Sequence, residues 1–223
     1  MTAFVLAGGL GTRIAGLFPD LPKSMIPIAG RPFIDRLIER LHGFEIVLCA
    51  GHQASALVDH VKGSGVRVVV EETPLGTAGA LAFARRAVEH EDETFLALNG
   101  DTYAEFDPGT LLAHHRALNA DATLACYRVD EAEARGTVEI EGDRLQGFRE
   151  KAAQGPGWVS GGVYALEPRA LGGVSTEKAT SLEVDVFPAL IASGRTIGAW
   201  RAPGHFWDMG TPEGLRAAEE RLS

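Results

Sequence analysis

The stretch "FVLAGGLGTRI", Phe4 to Ile14, decides the fold. A short apolar run stops at two glycines, turns over four residues that include a third, and presents an arginine before apolar residues resume. A turn between a strand and a helix needs one glycine, so Gly8, Gly9 and Gly11 together exceed what a turn requires. Downstream the same alternation continues: "EIVLCA", "VRVVVEE", "TFLALNGD" and "ATLACY" read as strands, and "PFIDRLIERL", "ASALVDHVKG", "TAGALAFARRAVEH" and "PGTLLAHHRAL" read as helices. In the first of these helices Ile34, Leu37, Ile38 and Leu41 recur at i, i+3, i+4, i+7, while "RVVV" is a continuous β-branched run that predicts a strand buried on both faces. Alternation of this kind predicts βαβ units, hence an α/β chain of three layers, α/β/α, with a mostly parallel central sheet.

After Cys126 the pattern changes. "GTVEIEGDRLQGFRE" alternates polar and apolar residues around Gly142-Asp143, which predicts a β-hairpin insertion, and "WVSGGVYAL" reads as a further strand. A helix in "SLEVDVFPALIASG", a strand in "TIGAW", a loop in "APGHFWDMGT" and a closing helix from Pro212 complete the chain. No repeat or linker divides it, so residues 1–223 are expected to form one domain.

A net charge of -9 and a pI near 5.3 argue against nucleic acid or an anionic membrane as partner, since neither would be held by bulk electrostatics. Any anionic ligand must be held by local donors or a metal. No run approaches the roughly 20 apolar residues of a membrane span, and no basic-then-apolar leader precedes the first strand, so a cytoplasmic location is expected. Cys49 and Cys126 lie in separate apolar runs without a ligand cluster and read as small core residues.

In open α/β sheets ligands bind beyond the carboxyl ends of the strands, which is where "LAGGLGTR" falls. Glycines there admit backbone N–H groups to phosphate oxygens, and Arg13 adds a bidentate cation. The loop has neither the Gly-Lys-Ser/Thr ending of a P-loop nor the dinucleotide G-x-G-x-x-G spacing, where Ile14 would have to be glycine or alanine.

"LAGGLGTRI" followed by "LPKSMIPIAGRPFI" resembles the signature of the sugar-1-phosphate nucleotidyltransferases, which join a nucleoside triphosphate to a sugar 1-phosphate and release pyrophosphate. "ETPLGTAGAL", "LNGDTY", "FREK", "VSGGVYAL", "SLEVDVFP" and "FWDMGTPEGL" follow in family order across nearly the whole chain. The resemblance implies a Rossmann-like nucleotidyltransferase fold whose nucleotide-binding part spans about 1–127 and whose sugar-phosphate part spans about 128–223. It assigns catalysis to Arg13, Lys23 and Asp101, and a magnesium ion to Asp101 and Asp208. Hard oxygen donors, few in number, suit Mg2+, which relies on substrate phosphates for the rest of its shell. Leu6, Ala7, Gly8, Gly9, Gly11, Thr12, Arg13, Gly76, Thr77 and Gly100 fall to the nucleotide, with Gly76 and Gly79 small enough to admit the base. Glu150, Lys151, Gly161, Glu183 and Asp185 fall to the sugar phosphate.

"PLGTAGA" looks closest to guanylyltransferases of mannose-like sugars, so GTP and a mannose-like or heptose 1-phosphate are the expected substrates; a uridylyltransferase of an amino-sugar phosphate such as N-acetylmuramate 1-phosphate is the enzymatic alternative. A non-catalytic sugar-nucleotide sensor would be expected to have lost Arg13, Lys23, Asp101 or Asp208, and a glycosyltransferase to carry Asp-x-Asp where "LNGDTY" stands. Two departures from the family pattern stand out: Ser24 where proline is commoner, expected to leave function intact, and Ala152 where proline usually follows the lysine. No hexapeptide-repeat region follows the closing helix, which leaves the oligomeric state open, a homodimer included. Thr77 reads also as a helix cap, His114-His115 as a polar helix face, Trp158 and Trp200 as packing residues, and His205 with Trp207 as a border of the sugar pocket.

Overall fold

Five residues of the opening run, Thr2–Leu6, form β1, from which the sheet builds outward. The computed structural model describes residues 1–9, 18, 21–90, 93–130, 136–149 and 155–222. Two-residue strands β2 (Pro27–Ile28) and β3 (Arg31–Pro32) lead into helix α1 (Phe33–Arg40), then β4 (Glu45–Ala50), α2 (Ala54–His60) and β5 (Arg67–Val70). Next come α3 (Gly76–Arg85), β6 (Phe95–Asn99), β7 (Thr102–Ala104), α4 (Pro108–Ala117) and β8 (Ala122–Val129). The hairpin β9 (Thr137–Glu141) and β10 (Arg144–Arg149) precedes β11 (Gly157–Leu166), α5 (Phe187–Ala192), β12 (Ile197–Arg201), β13 (Phe206–Asp208) and α6 (Pro212–Leu222).

Nine strands form one sheet in the order β5-β4-β1-β6-β11-β8-β12-β10-β9. The sheet is mixed: β5, β4, β1 and β6 are mutually parallel, but β11 runs against both β6 and β8, and β10 against both β12 and β9. Alternation along β1 sends Ala3 and Val5 into one apolar cluster and Phe4 into another. The first cluster receives Phe33, Ile34 and Leu37 of α1, Leu57 of α2, Leu111 of α4 and Ala218 of α6; the second receives Leu81 of α3 and Phe187 of α5. Each large apolar side chain so buried contributes roughly 1.5–3 kcal/mol.

Four local readings differ from the sequence expectation. "RVVV" is not buried on both faces: β5 ends the sheet, pairs only with β4, and leaves Val70 44% exposed. His115 is not part of a polar face but buried at the α4–β8 contact, where its ring nitrogens meet Thr123 Oγ1 at 2.9 Å and Glu167 Oε1 at 3.3 Å. Burial lowers the pKa of this imidazole below the usual histidine value. "SLEVDVFPALIASG" is not α-helical throughout, because Leu182–Val186 forms a π-helical turn before α5. Pro188 supplies no N–H, so an α ladder cannot run through it. Finally, the loop expected at "APGHFWDMGT" contains β13, which pairs antiparallel with β7. The two cysteines are buried and free, and Trp200 is a core residue, as expected.

Candidate active site

The chain leaves β1 for β4 and β5 on one side and returns through α3 to β6 on the other, which makes the carboxyl ends of β1 and β6 a topological switch point. A cleft of about 300 Å³ opens there, lined on the strand side by Leu6, Ala7, Gly8, Gly9, Gly100 and Asp101. Gly100 donates its N–H to the Leu6 carbonyl at 2.9 Å, and a Cβ on it would lie 2.8 Å from that same oxygen. Only glycine lets the two strand ends meet so closely. At Gly9, by contrast, a Cβ would meet nothing within 4 Å among the described residues, on the side of the open cleft that it lines.

Lys23 enters the cleft from a tight 3-10 turn, Lys23–Met25, placed by Pro22 before it and by buried Ile26 and Ile28 after it. Its Nζ lies 3.0 Å from Asp101 Oδ2, with the lysine side chain only 13% exposed. A cation so enclosed is held there by its carboxylate partner, and either group alone would be costly. Asp208 reaches the same corner through β13: Asp208 pairs in register with Thr102, and Met209 N–H donates to the Asp101 carbonyl at 2.9 Å. Asp208 Oδ1 accepts from Gly210 N at 2.8 Å, which fixes the carboxylate's orientation. The Trp207 ring packs on Tyr103, with centroids 5.4 Å apart, and on His205 at 5.8 Å, stiffening the two-strand ribbon that carries Asp208 and starts directly after Asp101.

Ser24, next to Lys23, also lines the cleft; it is 1% exposed and its Oγ has no hydrogen-bond partner among the described residues. An unsatisfied buried hydroxyl costs about 1–3 kcal/mol.

The opposite end of the cleft holds a residue that the motif reading passed over, Glu71, together with Pro74, Thr77 and Ala80. Glu71 Oε2 accepts from Leu75 N at 3.3 Å, and its Oε1 occupies the space that a Cβ on Gly8 would need, at 2.9 Å. Gly8 is therefore bare to make room for this carboxylate. Burial raises the Glu71 pKa above the usual carboxylate value, with the Leu75 bond opposing it. The signal in the sequence was an acidic residue ending the edge strand, directly before "ETPLGTAGAL".

Gly76 lines the cleft, and both Gly76 and Gly79 also make room for a neighbouring stretch of chain. A Cβ on Gly76 would come 2.6 Å from the Thr180 carbonyl, and one on Gly79 3.1 Å from that of Lys178. The Thr180 carbonyl accepts from Ala78 N and Gly79 N at 2.9 and 3.3 Å, taking up two of the first-turn donors of α3, whose N-cap is Leu75. Thr77 is not the cap; its Oγ1 accepts from Leu182 N at 2.8 Å. A clasp thus ties the cleft wall to the segment of Glu183 and Asp185.

Those two carboxylates are otherwise occupied: Glu183 Oε1 accepts from the Tyr164 hydroxyl at 2.8 Å, and Asp185 Oδ2 from Ser181 N at 2.7 Å. Gly161 and Gly162 sit at a bulge in β11, one over the Tyr127 ring, the other, with φ +66°, against Asn99. Of the remaining site expectations, Gly11, Thr12, Arg13, Glu150 and Lys151 lie outside the described residues.

Comparison with known proteins places this geometry in context. The nucleotidyl transferase family profile matches residues 2–223. Mannose-1-phosphate guanylyltransferase of Mycobacterium tuberculosis is 36% identical over 222 residues, covering 95% of this chain and 61% of the relative. The mannose-1-phosphate guanyltransferase of Schizosaccharomyces pombe is 30% identical, covering 96% of this chain and 62% of the relative. The chain thus spans about three fifths of the length of these curated relatives. Among solved structures, HddC from Yersinia pseudotuberculosis complexed with GMP-PN superposes with a TM-score of 0.86 at 31% identity, covering 100% of this chain and 99% of that one. A putative glucose-1-phosphate thymidylyltransferase from Bacillus anthracis shares the fold, with a TM-score of 0.83 at 18% identity, 99% of this chain and 94% of that one being covered.

Proposed function

The chain belongs to the nucleotidyl transferase family, and on that premise we propose that it transfers GMP from GTP to a mannose-like or heptose 1-phosphate, releasing pyrophosphate. One observation carries the reading: a single cleft has a lysine–aspartate pair at one end and an uncommitted face of a half-buried carboxylate, Glu71, at the other. The names of the relatives and the GMP-PN bound to HddC support the guanine.

In the reaction an oxygen of the sugar phosphate attacks the α-phosphorus of GTP. The new P–O bond forms as the bond to the β-phosphate bridge breaks, and pyrophosphate takes the electron pair. Both reactants are anions, so the protein's work is positioning and charge neutralisation. Lys23 meets the charge on the phosphates, and the same task is assigned to Arg13. Gly9 and the neighbouring backbone give the phosphates room. Asp101 and Asp208 fit a divalent cation, magnesium by the chemistry of a few hard oxygen donors, because Asp208 pairs with Thr102 and Met209 N–H bonds the Asp101 carbonyl, which brings the two residues to one corner of the cleft. Such an ion would neutralise phosphate charge there.

Glu71 reads the base. A carboxylate presents two parallel acceptors, and the guanine edge presents two parallel donors, N1–H and the amino group; uracil offers one N–H flanked by carbonyl oxygens, which a carboxylate repels. The second half of the chain serves the sugar in this reading, with Glu150, Lys151, Gly161, Glu183 and Asp185 as the sugar-phosphate residues; the clasp from Thr77 to Leu182 ties the segment of Glu183 and Asp185 to the cleft wall. On this reading residues 1–127 bind the nucleotide, residues 128–223 bind the sugar phosphate, and the enzyme works in the cytoplasm where its triphosphate is made.

The test is pyrophosphate release by purified protein supplied with each nucleoside triphosphate, magnesium and a panel of sugar 1-phosphates. GTP with a mannose-like or heptose phosphate is the expected productive pair. Faster release with UTP and an amino-sugar phosphate would replace the guanylyl assignment with the uridylyl one.

A further inference from the structure

Ser24 is a side chain of the cleft wall that the transfer reading leaves unused and whose buried hydroxyl has no partner among the described residues. It follows Lys23 in the same 3-10 turn, is almost wholly buried, and its hydroxyl finds no partner among the described residues. Folded proteins satisfy nearly all buried polar atoms, and an exception marks a group waiting for a ligand or storing strain. The turn itself is unstrained: Met25 N–H bonds the Pro22 carbonyl at 2.8 Å, Ile26 N–H that of Lys23 at 3.2 Å, and no residue from Pro22 to Ile28 has positive φ. Strain is thereby removed from the explanation.

We infer that the Ser24 hydroxyl is a phosphate ligand, donating to a non-bridging oxygen of the nucleotide's phosphate chain when the triphosphate enters beside Lys23. The inference rests on the transfer reading above and adds to it a neutral donor. Its position selects the phosphate over the base, because Ser24 adjoins the lysine that pairs with Asp101, while Glu71 and Pro74 occupy the other end. A serine needs only one χ1 step between staggered wells to bring its hydroxyl from the wall into the space it lines. With Lys23 engaged on Asp101, the hydroxyl is in reserve; the incoming phosphates supply the acceptor it lacks.

Calorimetric titration of wild type and Ser24→Ala with GTP, UTP and guanosine, alongside thermal melts without ligand, tests this. The expected result is about ten-fold weaker binding of GTP, as befits one hydrogen bond to a charged group. UTP should weaken by the same factor, guanosine should be unchanged, and the variant should melt no lower than wild type because alanine removes an unsatisfied group. Unchanged GTP affinity, or an equal loss for guanosine, overturns the inference; so does a lower melting temperature with nucleotide affinity intact, which marks the hydroxyl as structural. A wild type that prefers UTP refutes the guanine assignment alone while the alanine ratio still supports the serine. A wild type that binds no triphosphate takes down the transfer reading and this inference together.

Discussion

Replacing Glu71 by glutamine removes one of two acceptor oxygens without changing the shape of the side chain, and so isolates base reading from everything else in the cleft. The remaining carbonyl oxygen can still take the Leu75 N–H that Oε2 takes at 3.3 Å, so the backbone contact survives. What is lost is one charge-assisted hydrogen bond to guanine, and one guanine donor then faces an amide N–H. Taken together these amount to about 2–4 kcal/mol, or roughly 30- to 700-fold in kcat/KM for GTP. For UTP the sign reverses, since a carboxamide offers the acceptor and donor that uracil's N3–H and carbonyl want. The assay is kcat/KM for GTP and UTP at saturating mannose 1-phosphate. The fold is not at risk: burial already disfavours the Glu71 anion, so a neutral amide should leave the melting temperature unchanged or higher. The same raised pKa predicts that wild-type preference for GTP falls on acidification, beginning above the usual carboxylate value, as protonation turns one acceptor into a donor. The variant's preference should be flat with pH. A GTP:UTP ratio that the substitution leaves untouched refutes the placement of guanine against Glu71.

Asp101→Asn and Asp208→Asn should each fold, the first with a lower melting temperature because enclosed Lys23 loses its ion partner, and each should lower turnover by at least ~10²-fold, read in the pyrophosphate assay across a magnesium titration. Gly162→Ala should cost about 1–3 kcal/mol in thermal or denaturant unfolding, because φ is +66° and the new methyl would lie 2.5 Å from Asn99 Nδ2 in the cleft wall. Asp121, 5% exposed, is held by Arg195 and Arg169, which lower its carboxyl to about 2. Its folded value lies below its unfolded one, so the stabilisation, about 2 kcal/mol, is present above pH ~4 and is lost as pH falls towards 2. Acid unfolding of Asp121→Asn should lack that slope, and an unchanged pH profile would show the cluster to be idle.

The parts of the fold that were legible in the sequence are those that local periodicity encodes. The spacing of Ile34, Leu37, Ile38 and Leu41 gave α1, and the turn residues Gly142-Asp143 gave the hairpin. The misreadings come from information that is not local. "RVVV" has a core strand's composition, but whether a strand lies inside a sheet or ends it depends on pairing partners far away in the chain. His115 is polar, and only the partners Thr123 and Glu167, contributed by other elements, make its burial tolerable. At the site, the glycine loop and the aspartates stood out as motifs, and β13 pairing with β7 gives a physical reason why Asp208 lies near Asp101. Gly76 and Gly79 were conspicuous in the motif, but it does not display that their bareness also accommodates Thr180 and Lys178. Glu71 stands just before a motif and Ser24 inside one, but what either side chain faces becomes visible only when the cleft wall is assembled around it.

The central claim, that a sugar-phosphate oxygen attacks the α-phosphorus of GTP in this cleft, is tested most directly by isotope transfer. Mannose 1-phosphate labelled with oxygen-18 in its non-bridging phosphate oxygens is turned over with unlabelled GTP, and the products are read by mass spectrometry. The account predicts a GDP-linked sugar that retains all of the label, one labelled oxygen now bridging the two phosphorus atoms, with unlabelled pyrophosphate released. Labelled pyrophosphate, or release of orthophosphate in its place, would contradict it.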